Sequence, residues 1–345
     1  MRGIDLENLK EGQKLARPIY DDAGRILLHK GTILKKMYIK RLEELGIPFV
    51  YVEDELIGPI DTEDLIHDSV RIQSVKMIKF SMDRAKISKN IDIRYVSEVV
   101  NKIIDDIASS SNLLVSLLDI RANSLQLFNH SISVAVLAIV TGMVLKLDQL
   151  KLKNLAMGAV LHDIGKSLVQ GEEHTTLGFN LIRQNKEINI ACAHVAYQHH
   201  ERYDGKGYPR GLKSEEIHLF GAITAIANYY DGLVAPEDNK DRMYPYQAIE
   251  RIVAESGKMF HPEMVIAFTR NIVPYPVGSL VRINTNSLGV VVGLHSNFPT
   301  RPIIKLVTDR FGGLLMDFPE LDLLEERTIF INEIVSEKER DKLGL

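Results

Sequence analysis

Between residues 113 and 273 the 345-residue chain alternates long segments of helical apolar periodicity with short polar breaks. The spacing predicts helices near 126–145, 150–165, 174–184, 188–200, 218–234, 244–256 and 261–272. No strand pattern interrupts them, so 113–273 reads as an all-α domain. Its longest apolar run, 132–145, contains Ser133, Thr141 and Gly142. A membrane span needs about 20 apolar residues, so this run predicts a buried helix.

The flanks have other periods. Residues 1–57 read as a small α/β module. The runs KLARPIY and RILLHK are separated by the turn Asp21-Asp22-Ala23-Gly24, and KKMYIKRLEELG is a helix that stops at Gly46. PFVYVE, from Pro48 to Glu53, is a strand, and Pro59 with the acidic stretch after it marks a boundary. Residues 58–112 read as linking helices, the last at 96–108, before Ser109-Ser110-Ser111-Asn112 breaks the pattern. After Pro274 and Pro276, the β-branched runs GSLVRIN, GVVVGLH and RPIIKLVTD predict a small β domain over 274–345.

Composition adds exclusions. Hydrophobic residues are 45% and charged residues 26%, which suits globular domains with sizeable cores. Lys plus Arg is 42 and Asp plus Glu is 46, so the net charge is −4. A near-neutral chain gives no reason to expect a nucleic-acid polymer as partner, because such binding needs clustered basic charge. Cys192 is the only cysteine, which excludes an intrachain disulfide and fits a reducing compartment. The opening MRGIDLENLKEGQK has no apolar core of a signal peptide. A cytoplasmic protein without a membrane span is the expectation.

The histidines carry the chemistry. There are 11, and six (His130, His162, His174, His194, His199, His200) fall within 130–200. Simple proportion would put roughly two there against the usual surface spread of His. His162-Asp163 is the informative pair. His offers one neutral imidazole nitrogen, and Asp offers two oxygens able to bridge two cations. Neighbouring helical positions point about 100° apart, so other helices must supply the remaining ligands. His130, His174, His199 and His200 are placed to do so. Two ions about 3.5–4 Å apart would suit in-line attack on phosphorus. Gly165 is expected to end the helix and Lys166 to meet a phosphate from its end.

These residues resemble a known family. His162-Asp163-Ile164-Gly165-Lys166 is similar to the HD signature of metal-dependent phosphohydrolases. His199-His200-Glu201-Arg202-Tyr203-Asp204-Gly205-Lys206-Gly207-Tyr208-Pro209 resembles the second signature of the HD-GYP family. Phe128-Asn129-His130-Ser131, Glu173-His174-Thr175 with Gly178, Ala227-Asn228-Tyr229-Tyr230-Asp231-Gly232-Leu233 and Asp241-Arg242-Met243-Tyr244 resemble its other blocks, in order. The resemblance implies a mainly α chain: a helical HD-type domain flanked by the small α/β and β modules. It implies hydrolysis of the bacterial second messenger cyclic di-GMP to pGpG, GMP or both, with a bridging hydroxide as nucleophile. One metal would be held by His130, His162, Asp163 and Asn228, the other by Asp163, His174, His199 and His200. The family's metals are iron or manganese. Lys166, Arg242 and Tyr244 would face substrate, and the loop Gly207-Tyr208-Pro209 would offer a docking surface for a cyclase-domain protein.

Three departures stand out. Position 228 is Asn where the family pattern has Asp. Position 126 is Gln where members with a third metal have Glu, so two metals are expected. Residues 236–240 look like an insertion, and Pro245 replaces a basic residue. Asn228 and the altered 236–245 segment support a second reading: a catalytically weak or inactive receptor or interaction module for cyclic di-GMP. Hydrolysis of another nucleotide is a third. His194 matches no ligand block, and His67-Asp68 is a His-Asp pair without the Gly-Lys that follows His162-Asp163. Read alone, Gly207-Tyr208-Pro209 is an ordinary turn. The terminal modules carry no legible motif and are left to dock a partner, bind a regulator or form a homodimer.

Overall fold

The computed structural model describes residues 1–21, 24–47, 49–54, 65–110, 113–116, 125–236 and 242–344. The expected turn at Asp22-Ala23, the boundary at Pro59, Ser111-Asn112 and the insertion at 237–240 with Asp241 lie outside them. The first elements are β1 (Arg2–Asp5), β2 (Ile19–Tyr20), β3 (Ile26–Leu28), α1 (Lys36–Glu44) and β4 (Phe49–Val52). Helices α2 (Asp68–Ser88), α3 (Ile93–Ser109), α4 (Gln126–Val144), α5 (Gln149–Leu161), α6 (Glu173–Arg183) and α7 (Ile190–Gln198) follow. Next come α8 (Leu219–Val234), α9 (Pro245–Ala254) and α10 (Pro262–Thr269). The chain then forms β5 (Leu280–Ile283), β6 (Leu288–Gly293), β7 (Ile303–Leu306), β8 (Glu320–Asp322), β9 (Ile331–Ile334) and α11 (Glu337–Lys342).

These elements form two compact units. One gathers the described residues of Met1–Asp64 and Val273–Leu345. In it β1 pairs antiparallel with β4, and β2 with β3. Ile4, Leu15, Leu34, Leu42, Ile47 and Val50 make their core. Helix α1 stops as expected: Gly46 has φ 64° and donates to the Glu43 carbonyl. The later strands form an antiparallel sheet in the order β8-β7-β6-β5-β9, with Leu280, Val281, Val290, Val291 and Ile304 buried. The two terminal modules, read from sequence as separate bodies, cluster together. Arg340, which is 2% exposed, pairs with Asp54 at 2.5 Å, and Arg2 reaches Asp54 at 3.3 Å and Glu337 at 3.0 Å.

The other unit is helical, Leu65–Val115 with Leu125–Ile272. Helices α2 and α3, expected as linkers, belong to it. Their stripes Val75-Ile78-Met82-Ala85 and Val96-Val99-Val100-Ile103-Ile107 are buried, and they pack on each other, α2 also on α4 and α3 also on α5. Every helix expected in 126–272 is present. Helix α4 lies at the centre, against α2, α3, α5, α8 and α10. It is long and apolar enough to cross a membrane by length and composition, but 67% of that window is buried inside the unit. Its Ser131 and Thr141 hydroxyls donate to carbonyls one turn back, so both sit dry without cost to the core.

Close approach of α5 and α7 sets the distance between two histidine-bearing helix ends. A Cβ on Gly158 would lie 2.5 Å from Val195 Cγ2 and 3.2 Å from the Cys192 carbonyl. Overpacking of this kind costs about 1–3 kcal/mol, against about 1 kcal/mol gained from helix propensity. Gly158→Ala should therefore lower the thermal midpoint, and Gly158→Ala with Val195→Ala should recover part of the loss. Equal midpoints for wild type and Gly158→Ala would show that the helices are not held this close.

Candidate metal centre

Four helix ends and two helix faces converge on one carboxylate. His130 lies on α4 and Asn228 on α8. Helix α5 stops at Leu161, so His162 caps it and Asp163 opens the 3-10 turn Ile164–Ser167. His174 is in the first turn of α6, and His199 caps α7 with His200 next. Gly165 was expected to end α5. The helix ends earlier, and the glycine is needed for close approach: a Cβ there would lie 1.9 Å from the His174 carbonyl oxygen. Gly207 is likewise a contact point, where a Cβ would lie 2.4 Å from Arg202 N.

Asp163 is fully buried, and its two oxygens face different histidines. Oδ2 is 3.2 Å from His162 Nε2 and 3.7 Å from His130 Nε2. Oδ1 is 3.3 Å from His174 Nε2 and 3.5 Å from His199 Nε2. His174 and His199 bring their Nε2 atoms within 3.3 Å of each other, and Asn228 Oδ1 is 2.9 Å from His130 Nε2. The result is two groups that could each hold a metal ion, His130-His162-Asp163 and Asp163-His174-His199-His200, with Asp163 in both. Ligand atoms about 2.1 Å from a shared ion sit about 3 Å apart, so these spacings fit coordination. The buried His162 Nε2 and Asp163 Oδ1 make no hydrogen bond, and Asp163 Oδ2 meets the Lys166 ammonium at 2.7 Å. Buried orphans of this kind are costly unless a cation takes them up.

The other ring nitrogen of each of these four histidines is committed. Nδ1 of His162 donates to the Ala159 carbonyl at 2.8 Å, Nδ1 of His174 to Gly171 at 2.6 Å and Nδ1 of His199 to Ala196 at 3.0 Å. Nδ1 of His130 lies 2.6 Å from Asp231 Oδ2. A proton held on Nδ1 leaves the Nε2 lone pair free for a metal. Burial pushes the pKa of His162 down, that of His199 to about 4 and that of His200 to about 2, so these rings are neutral at neutral pH. Burial opposes charge on Asp163, but the surrounding imidazoles, His162 first, hold its pKa well below the usual carboxylate range.

Other expected site residues fall at varied places. Lys166 Nζ is 2.7 Å from Asp163 Oδ2, so its ammonium reaches the bridging position. Tyr208 of the Gly207-Tyr208-Pro209 loop stacks on His200 at 4.6 Å between ring centroids, 17° from parallel. Arg242 Nε donates to the Val234 carbonyl, and the Tyr244 backbone N–H to Gln247, contacts within the α8–α9 segment. Sequence reading gave no role to Glu201 or Asp231. The buried Glu201 carboxylate accepts from the backbone N–H groups of Arg210 and Leu212, both at 2.9 Å, and so pins the loop beyond Pro209. Asp231 lies three residues after Asn228, the helical spacing that would have placed both on one face.

Four further histidines make structural contacts. His67 binds Asp106, His194 stacks near His218 and Phe179, and His218 and His261 cap α8 and α10.

Residues 168–264 match the family model described as HD domain. The helical unit thus carries an HD-domain match over these residues. Residues 280–343, covering β5–β9, match a second model, the KOW domain associated with HD domain. The cyclic di-GMP phosphodiesterase PA4108 of Pseudomonas aeruginosa is 28% identical over 262 residues, which cover 71% of this chain and 63% of that protein. A cyclic di-GMP phosphodiesterase of Thermotoga maritima is 39% identical over 130 residues, 32% of this chain and 35% of that one. The chain thus spans less than two thirds of the length of these curated relatives. The solved structure of Bd1817 from Bdellovibrio bacteriovorus aligns with a TM-score of 0.49 at 15% identity, over 77% of this chain and 97% of that one. The HD domain and the clustered His and Asp groups together indicate divalent-metal binding.

The lowered pKa values of His162, His199 and His200 predict an acid-labile fold when metal is chelated. Between the ordinary value of 6.5 and about 4, His199 is neutral when folded and protonated when unfolded; His200 is so down to about 2. The unfolded chain then binds more protons, so stability rises with pH in this window and is lost as the pH is lowered, by up to about 1.4 kcal/mol per unit for each group. The raised pKa of His130 acts only above 6.5 and does not offset this. Urea unfolding of the chelated protein from pH 6.5 to 5 should show this slope, and His200→Gln should reduce it. A flat profile would contradict it.

Proposed function

We propose that this chain is a phosphodiesterase that hydrolyses cyclic di-GMP to pGpG, GMP or both at a two-metal centre. The observation that carries the reading is the single buried carboxylate of Asp163, whose oxygens face two separate histidine groups. One ion is assigned to His130, His162, Asp163 and Asn228, and the other to Asp163, His174, His199 and His200. Iron and manganese both suit this imidazole and carboxylate set. Two ions held by these residues would supply Lewis-acid activation of water near neutral pH and positive charge toward phosphate. The names of the relatives supply the substrate class.

The residues of the chain then have defined tasks. Asp163 holds the two halves of the site in register. Lys166, a quarter exposed at its side chain, reaches from the buried carboxylate toward the open side and neutralises phosphate charge. Arg242 and Tyr244 contact the rest of the substrate. Tyr208 steadies the His200 ring by stacking, and the outer face of its loop docks a cyclase-domain protein. Cys192 is no nucleophile: it is buried, its thiol faces the Asn154 carbonyl at 3.3 Å and burial pushes its pKa up to about 12. Asn228 favours one second reading, a cyclic di-GMP receptor without turnover, because an amide brings no charge to its ion.

Protein purified and loaded anaerobically with manganese or iron should convert cyclic di-GMP to linear products resolved by chromatography. His162→Ala with Asp163→Ala should abolish turnover and strip metal while circular dichroism stays helical. Binding of cyclic di-GMP without product, at full metal content, would favour the receptor reading and overturn the enzyme.

Lys166→Ala separates phosphate work from metal work. The rate should fall by about 10²–10³, the usual effect of losing one such contact, with metal content unchanged. An unchanged rate would remove Lys166 from the site.

A further inference from the structure

The carboxylate that position 228 lacks is present three residues further along α8. Asp231 is fully buried, and its Oδ2 lies 2.6 Å from His130 Nδ1. Asn228 Oδ1 lies 2.9 Å from Nε2 of the same ring. Positions three apart share a helix face, so α8 grips one imidazole by both nitrogens. The two contacts differ in kind. Nδ1–H donates to a carboxylate in a short, charge-assisted bond. In a neutral ring so oriented, Nε2 and the amide oxygen both present lone pairs, an arrangement that a cation between them satisfies.

We infer that Asp231 is a positioning residue for the site of His130, His162, Asp163 and Asn228, which is the weaker of the two because Asn228 is an uncharged ligand: acting through His130, Asp231 supplies the negative charge that Asn228 does not. The inference rests on the two-ion reading above. A carboxylate on Nδ1–H fixes the ring's orientation and makes Nε2 a more electron-rich ligand. In the other group the Nδ1 atoms of His174 and His199 are held by neutral backbone carbonyls. The charge is therefore moved one atom shell out on the α8 side and is still present there. This explains how Asn is tolerated at 228 and names the residue on which that tolerance depends.

The test is equilibrium dialysis of the full-length chain against manganese under anaerobic conditions, with bound metal counted by elemental analysis at each free concentration. Wild type should show two classes of site. Asp231→Asn should weaken the weaker class by about 10–100-fold, the usual effect of losing such a partner, and leave the tighter class unchanged. Asn228→Asp combined with Asp231→Asn should restore the weaker class, because the carboxylate now meets the ion directly. Should Asp231→Asn alone lose the wild-type thermal transition, the double variant decides: affinity at or above wild type supports the inference, and loss overturns it. Unchanged affinity in Asp231→Asn would overturn the inference and leave the two-ion reading standing. Loss without rescue in the double variant would show a merely structural role and would also overturn it. Fewer than two ions in wild type would overturn both.

Discussion

A charged carboxylate sealed inside a helical core, ringed by imidazoles and met at one oxygen by a lysine ammonium, is the constraint around which this helical unit is arranged. Taking Asp163 out of water costs several kcal/mol unless positive charge compensates it. Around it stand imidazoles with their Nε2 atoms turned inward and the Lys166 ammonium at its edge. Lone pairs from five side chains pointed at one another are unstable alone and stable around cations. The same arrangement that would destabilise an empty pocket thus makes a strong binding site.

The scaffold achieves this by ending its helices at the ligands. The last carbonyls of a helix have no partner within it. His162 and His199, each capping its helix, donate Nδ1–H to such carbonyls, at Ala159 and Ala196. One feature of the backbone therefore serves two needs: the helix end is satisfied, and the ring is locked with its lone pair inward. Close contact at Gly158 and Gly165 brings those ends together, since a methyl group at either position would meet the neighbouring segment.

Much of this was legible in the chain. Helical periodicity located every α-helix from 126 to 272, and the cluster of histidines marked where their ends meet. The resemblance of the motifs supplied the pairing of the two groups. Less legible was whatever depends on short or charged elements. Strand β1 (RGID), β8 (ELD) and β9 (INEI) carry too few apolar residues to show a period, and the burial of Arg340 by Asp54 depends on residues nearly 300 positions apart. At the site, the early end of α5 escaped notice because His162, Asp163 and Ile164 continue its pattern. Glu201 and Asp231 were missed for a related reason. Their partners, two backbone N–H groups and an imidazole 101 positions away, leave no local trace.

The central claim is that Asp163 bridges two ions. Electron paramagnetic resonance of the chain loaded with two equivalents of manganese addresses it most directly. Ions about 3.5–4 Å apart, joined by one carboxylate, are exchange-coupled. The account predicts a coupled spectrum that His162→Ala with Asp163→Ala abolishes. A single uncoupled six-line signal from fully loaded protein would contradict it.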